Sequence, residues 1–210
     1  MSTKIRIEAA QKVFRGDARE VRALNDVSLE VQANEFVTLV GASGCGKSTL
    51  LRAIGGLEAL TAGSIAIDGS SITGPGVERA MVFQHYSLYP WLTVSENIRF
   101  SRQFAVNRRD VTSVDVEIAS GRADALLRLM GLQAFARAYP NQLSGGMQQR
   151  TAIARALMSR PSILLMDEPF GALDAQTREL MHDLLLHVFK VENTTIVFVT
   201  HDVDEAIYLG

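Results

Sequence analysis

Gly41-Ala42-Ser43-Gly44-Cys45-Gly46-Lys47-Ser48 is the stretch that decides the fold. It fits G-x-x-x-x-G-K-[ST], the pattern of a loop that cradles phosphate. Glycines let successive backbone N–H groups turn inward without Cβ clashes, and the positive end of a following helix adds to the attraction. Lys47 supplies a point charge for the outer phosphates, and the Ser48 hydroxyl is a hard-oxygen ligand for Mg²⁺. Gly41, Ser43, Gly44, Cys45, Gly46, Lys47, Ser48 and Thr49 are therefore expected to surround the phosphates of a nucleotide. From average glycine usage, a chance match arises about once in a hundred chains of this length. The flanks reduce that further. Phe36-Val37-Thr38-Leu39-Val40 is nearly continuous in apolar residues, the pattern of a strand buried on both faces. Leu50, Leu51, Ile54 and Leu57 follow at helical spacing. The order is strand, loop, helix.

Outward from this unit, residues 5–31 alternate in short apolar and polar runs around a turn-like Arg15-Gly16-Asp17, and read as antiparallel strands. Residues 64–69 and 80–83 read as two further short strands. Between about residues 90 and 139 the composition shifts to charged and alanine-rich helical segments, with Leu126, Leu127 and Met130 on one face; this reads as an inserted helical subdomain. Ser162-Ile163-Leu164-Leu165-Met166 and Thr195-Ile196-Val197-Phe198-Val199 are buried-strand candidates, separated by a helix over residues 175–191. Alternating strands and helices predict a parallel sheet covered on both faces.

Bulk properties narrow the function. A chain of 210 residues with 47% hydrophobic residues suits one α/β domain with a substantial core. Lys+Arg of 21 against Asp+Glu of 23 gives a formal charge of -2, no bulk reason to expect a nucleic-acid partner. The single Cys45 excludes an internal disulfide and points to a reducing compartment. The N-terminus leads into no signal-peptide core, and no run of about 20 apolar residues is present. The expectation is a cytosolic protein that meets a membrane only through a partner.

Two further elements carry chemistry. Ile163-Leu164-Leu165-Met166-Asp167-Glu168 is an apolar strand ending in two carboxylates. Alone, such a pair is more often a solvated strand end. Beside a phosphate loop, at the carboxyl end of an α/β strand, Asp167 is expected to hold Mg²⁺ and Glu168 to polarise an attacking water. Leu143-Ser144-Gly145-Gly146-Met147-Gln148-Gln149-Arg150 opens a helix running through Ala152, Ile153, Ala154 and Leu157. Ser144 is a good N-cap, and the glycines expose N–H groups at the positive helix end. Alone, a Gly-rich N-cap with no ligand is an equal reading; beside the phosphate loop, the chain is expected to have two phosphate-binding devices.

The order of these motifs resembles the nucleotide-binding subunit of ABC transporters: phosphate loop, Gln84, Leu143-Ser144-Gly145-Gly146, the strand ending Asp167-Glu168, Ala172-Leu173-Asp174, then His201. The resemblance covers residues 5–210. It implies a P-loop NTPase (RecA-like) α/β core with an N-terminal antiparallel β subdomain and an inserted α-helical subdomain. Residues 1–88 and 151–210 would form the nucleotide-binding core with its β subdomain, and residues 89–150 the helical subdomain. It also implies ATP and Mg²⁺ as ligands, and a head-to-tail homodimer in which Ser144, Gly145 and Gly146 of one copy close over the nucleotide of the other. Gln84 matches the glutamine that contacts Mg²⁺ and water and couples to the membrane partner. His201 matches the histidine that touches the γ-phosphate, Asp174 the aspartate that communicates across the dimer, and Phe14 the aromatic that stacks on adenine.

Tyr89-Pro90-Trp91-Leu92-Thr93-Val94 with Glu96-Asn97, and Asp174-Ala175-Gln176-Thr177-Arg178 with Met181, resemble importers for nitrate, sulfonate and taurine. That implies two transmembrane permease subunits, an extracytoplasmic substrate-binding protein acting indirectly, and a peripheral place on the cytoplasmic face of the inner membrane. Trp91 would lie on the permease-facing surface, unless it packs the helical subdomain. Asn34 stands where the family generally has Gly, a substitution that tolerates positive φ. Family members continue beyond the position of Gly210, so a truncated C-terminus is expected here. A soluble ABC ATPase acting on DNA, ribosomes or cluster assembly would call for a long coiled-coil insert or two fused cassettes, and this sequence has neither. A module that only binds ATP fits poorly with Asp167-Glu168 and His201 together.

Overall fold

The computed structural model describes residues 2–16, 20–100 and 113–210. Asp17 of the expected turn and residues 101–112 of the expected helical insert lie outside them.

Two sheets share the core. Strands β1 (Thr3–Arg15), β2 (Glu20–Gln32), β4 (Ala62–Ile67) and β5 (Ser70–Ser71) form an antiparallel sheet in the order β2-β1-β4-β5. Strands β3 (Phe36–Val40), β6 (Arg79–Val82), β7 (Ile163–Asp167) and β8 (Thr195–Thr200) form a parallel sheet in the order β3-β8-β7-β6. The helices are α1 (Lys47–Ile54), α2 (Val94–Arg99), α3 (Ser113–Leu129), α4 (Gly145–Leu157), α5 (Ala175–Glu192) and α6 (Val203–Leu209).

The apolar runs of β7 and β8 are buried along their whole length, because side chains alternate between two hydrophobic layers. Leu164, Met166, Ile196 and Phe198 join the layer containing α3, α4 and α5. Ile163, Leu165, Val197 and Val199 join the layer formed with α1 and the antiparallel sheet, including Ile5, Ile7, Leu51 and Ile54. Each fully buried Leu, Ile or Val contributes about 1.5–3 kcal/mol of transfer free energy. The expected face of α3 is in place, with Leu126, Leu127 and Met130 buried.

Two expectations need correction. Phe36–Val40 is a strand, but an edge strand, only partly buried, and Val40 is 46% exposed. An apolar run reports hydrophobicity and not strand order; β3 pairs with β8 alone among the described residues. Leu57 is not on α1 but past its end and largely exposed. The helix closes in a Schellman turn: Leu57 N–H donates to Arg52 O (2.9 Å), Gly56 N–H to Ala53 O (3.0 Å), and Gly56 takes φ 70°. The Asn34 substitution is accommodated as expected, at φ 57°.

Candidate nucleotide site

The phosphate loop joins β3 to α1. Gly46, at the N-cap of α1, has φ 101°, a left-handed conformation that L side chains resist. A Cβ there would fall on the carbonyl oxygen of Ala23 in β2. The antiparallel sheet therefore backs the loop, and glycine is required twice over. Lys47 Nζ folds back onto the loop, donating to the carbonyls of Gly41 (2.7 Å) and Ala42 (3.0 Å), with Cys45 Sγ 3.9 Å away.

Parallel pairing places the other groups at the same sheet end. Asp167 pairs with Val199 in register, so the residues after β7 and β8 emerge side by side. Ser48 Oγ donates to Asp167 Oδ1 at 2.6 Å, and the Asp167 side chain is only 6% exposed. A hydroxyl and a carboxylate oxygen in contact are the hard donors that suit a small divalent cation such as Mg²⁺. Arg52 Nη2 lies 3.8 Å from Asp167 Oδ2. No motif or periodicity marks this arginine, which sits on the exposed side of α1 opposite its apolar face.

Glu168 takes φ 43°, held by its own N–H donating to Val199 O at 3.0 Å. Positive φ at a non-glycine residue is strained, and such residues concentrate at functional sites. Its Oε2 lies 3.0 Å from Nδ1 of His201, the first residue after β8. Gln84 follows β6 two residues on and is exposed. Phe14 lies in β1 with its ring 41% exposed and Lys12 Nζ 4.9 Å over its face, so the ring is open to stacking rather than in the core.

The second device lies elsewhere in the chain. Ser144 caps α4, accepting from Met147 N–H at 3.3 Å. A Cβ on Gly146 would meet Thr177 Cγ2 at 2.6 Å, and one on Gly145 the Tyr86 hydroxyl at 3.0 Å. Asp174 caps α5, accepting from the Thr177 N–H (2.9 Å) and hydroxyl (2.8 Å). Those bonds, the backbone one first, hold its carboxyl below the usual aspartate range. The starts of α4 and α5 therefore stand side by side. Among the described residues, the hydrogen bonds of Ser144, Gly145 and Gly146 do not reach the phosphate loop. Trp91 is 69% exposed, its ring tilted 50° to that of Tyr89 with centroids 5.7 Å apart, and does not serve as core of the helical segment.

Comparison with known proteins matches this geometry to one family. The family described as ABC transporter matches residues 24–171. The nitrate import ATP-binding protein of Synechocystis sp. is 46% identical over 206 residues, covering 98% of this chain and 75% of that protein. The aliphatic sulfonates import ATP-binding protein of Bacillus subtilis is 44% identical over 206 residues, covering 98% of this chain and 77% of that protein. A solved dimeric ATP-binding cassette in a post-hydrolysis state, bound to ADP and Pi, superposes with a TM-score of 0.83 at 36% identity, covering 97% of this chain and 90% of that one. The fold is that of the P-loop cassette, and the chain belongs to the ABC transporter family as an ATP-binding subunit and ATPase.

Proposed function

We propose that this subunit drives import of a small anion, of the nitrate, sulfonate or taurine kind, by hydrolysing MgATP between two copies of itself. The observation that carries the hydrolytic part is the pair of contacts at one sheet end, Ser48–Asp167 at 2.6 Å and Glu168–His201 at 3.0 Å. Residues 1–88 and 151–210 act as the nucleotide-binding core, and residues 89–150 as the helical subdomain that carries Ser144, Gly145 and Gly146 to the partner's nucleotide. The confinement of those three residues' bonds to their own surroundings supports a division of labour between copies.

When bound, Mg²⁺ supplies charge neutralisation for the β- and γ-phosphates. Ser48, Asp167 and Gln84 are its holders. Lys47 exchanges its loop carbonyls for phosphate oxygens, and the loop N–H groups, with Gly41, Ser43, Gly44, Cys45, Gly46 and Thr49, line the phosphates. Glu168 takes the proton of the attacking water, oriented through His201. Phe14 stacks on the adenine, and Asp174 relays closure between the copies. Trp91 and its neighbours face two permease subunits on the cytoplasmic side of the membrane, with a substrate-binding protein on the far side. No helix among the described residues is long and apolar enough to cross a membrane. The anion class is supported by the names of the relatives at 46% and 44% identity.

Glu168→Gln tests the hydrolytic assignment. ATP binding should stay within about twofold while kcat falls at least about 100-fold, the scale of a lost general base. Normal turnover in that variant removes Glu168 from the role. Stimulation of ATPase by nitrate, a sulfonate or taurine in reconstituted vesicles, read side by side, tests the cargo.

A further inference from the structure

His182 lies on α5 and belongs to none of the quoted motifs, yet it contacts the segments that follow both Glu168 and His201. Its Nε2 is 2.7 Å from Glu205 Oε1, with both residues buried, at 9% and 7% exposure. Glu205 belongs to α6, the helix that begins two residues after His201. On the other side, the imidazole packs on Phe170, ring centroids 5.6 Å apart, and Phe170 is two residues after Glu168. Phe170 in turn packs on Phe198 of β8 at 5.6 Å, so this ring is anchored in the core. One side chain thus bridges the segment that follows Glu168 and the helix that follows His201.

The bridge matters because little else ties α6 to α5. The space between them is a cleft of about 410 Å³, lined among others by Arg178, Asp183 and Asp202. Across it run the His182–Glu205 contact, the His182 ring against that of Tyr208 with centroids 5.6 Å apart, the Tyr208 hydroxyl donating to Asp183 Oδ1 at 2.6 Å, and Arg178 Nη1 3.6 Å from Asp202 Oδ2. The last two are at least partly exposed, where ion pairs and hydrogen bonds hold position weakly. A buried contact of a carboxylate with an imidazole N–H is stronger and directional. Letting go of it would leave Glu205 buried without a partner, which is costly, so α6 is fixed where His182 can reach it.

We infer that His182 is a positioning residue for ATP hydrolysis: through Glu205 and Phe170 it sets the spacing of His201 and Glu168. It does not touch nucleotide. It fixes the start of α6, and therefore where the His201 ring sits relative to the carboxylate 3.0 Å from it. The inference rests on Glu168 and His201 being the hydrolytic pair.

The test compares two amides of different reach in the purified protein. In His182→Gln the amide nitrogen occupies the position of Nε2 and keeps the bond to Glu205; in His182→Asn it falls short. The Gln variant should keep kcat within about twofold, and the Asn variant should lose about tenfold in kcat with KM for ATP unchanged, a signature of an interaction felt in the transition state. Equal kcat in the two variants, whether normal or lowered alike, overturns the proposal, as does a loss confined to KM. Should the Asn variant fail to fold, Glu205→Ala breaks the same contact from the α6 side and leaves His182 on Phe170. It should lower kcat with KM unchanged, and a normal kcat there overturns the proposal. Glu168→Gln is assayed in parallel: if it turns over normally, the hydrolytic pair itself was misassigned; if it is inactive while His182→Asn is normal, only the positioning role fails.

Discussion

Glycine stands at the start of both α1 and α4, and for different physical reasons. At α1 the backbone itself demands it: Gly46 has φ 101°, with the Ala23 carbonyl where a Cβ would go. At α4 neither Gly145 nor Gly146 has positive φ; they are ordinary helical residues that let Tyr86 and Thr177 come close. One motif therefore encodes a backbone shape, the one proposed to receive phosphate. The other encodes a close approach of two helix starts, those of α4 and α5. The first cannot be relaxed by a neighbour, whereas the second is limited only by side-chain atoms, the Tyr86 hydroxyl at Gly145 and the Thr177 methyl group at Gly146.

Gly46→Ala should have the largest effect. A left-handed L-residue costs about 1–2 kcal/mol, and the added methyl group collides with backbone that belongs to a sheet. Nucleotide affinity, read by titration with a fluorescent ATP analogue, should fall by more than about tenfold. Near-normal affinity would mean that the loop can be rebuilt around Cβ, and the contrast with α4 would collapse.

Gly146→Ala should be milder and reparable. The new methyl group meets Thr177 Cγ2 at 2.6 Å, and Thr177 cannot simply rotate, since its hydroxyl is bound to Asp174 at 2.8 Å. Overpacking of this kind costs about 1–3 kcal/mol. ATP binding should be retained while kcat drops several-fold. Thr177→Ser in the same chain removes Cγ2, keeps the hydroxyl, and should restore most of the turnover. A double variant as impaired as the single one would show that Gly146 is needed for something other than Thr177.

The difference between the motifs also explains what the sequence could and could not show. The phosphate loop, the Ser144 cap and the runs of β7 and β8 are local patterns, and each is legible because its physics acts over a few residues. The contacts Ser48–Asp167 and Glu168–His201 span 119 and 33 residues. They depend on the pairing of Asp167 with Val199, which no periodicity reports. The strand-end rule for α/β sheets put Asp167 and Glu168 beside the phosphate loop, and family resemblance, not spacing, added His201. Resemblance had nothing to say about His182, whose place among the apolar positions of α5 reads as core. The edge position of β3 was hidden for the same reason: burial on a second face depends on a neighbour elsewhere in the chain. Leu57 is a different failure, since Gly55-Gly56 before it are a local stop signal that outweighs helical spacing.

The smallest effect separates the caps of the same two helices by charge. Ser144 caps α4 with a neutral hydroxyl, so Ser144→Ala should cost about 1 kcal/mol at any pH. Asp174 caps α5 with a carboxylate whose pKa is depressed by the Thr177 bonds. A group with a lowered folded-state pKa stabilises above its unfolded value, near about 3.9, and that contribution disappears as pH falls through the folded value. Asn is an equally good cap that does not titrate. Asp174→Asn should therefore leave the melting temperature near neutrality almost unchanged, and make its decline below about pH 4 shallower than in the parent. The decline should not vanish, because Asp202 caps α6 in the same way, its carboxyl held low chiefly by the Glu205 N–H. An Asp174→Asn variant with the parent's acid slope would show that the charge on this cap contributes nothing beyond its hydrogen bonds, and would make the two helix starts alike in the one respect where their sequences differ most.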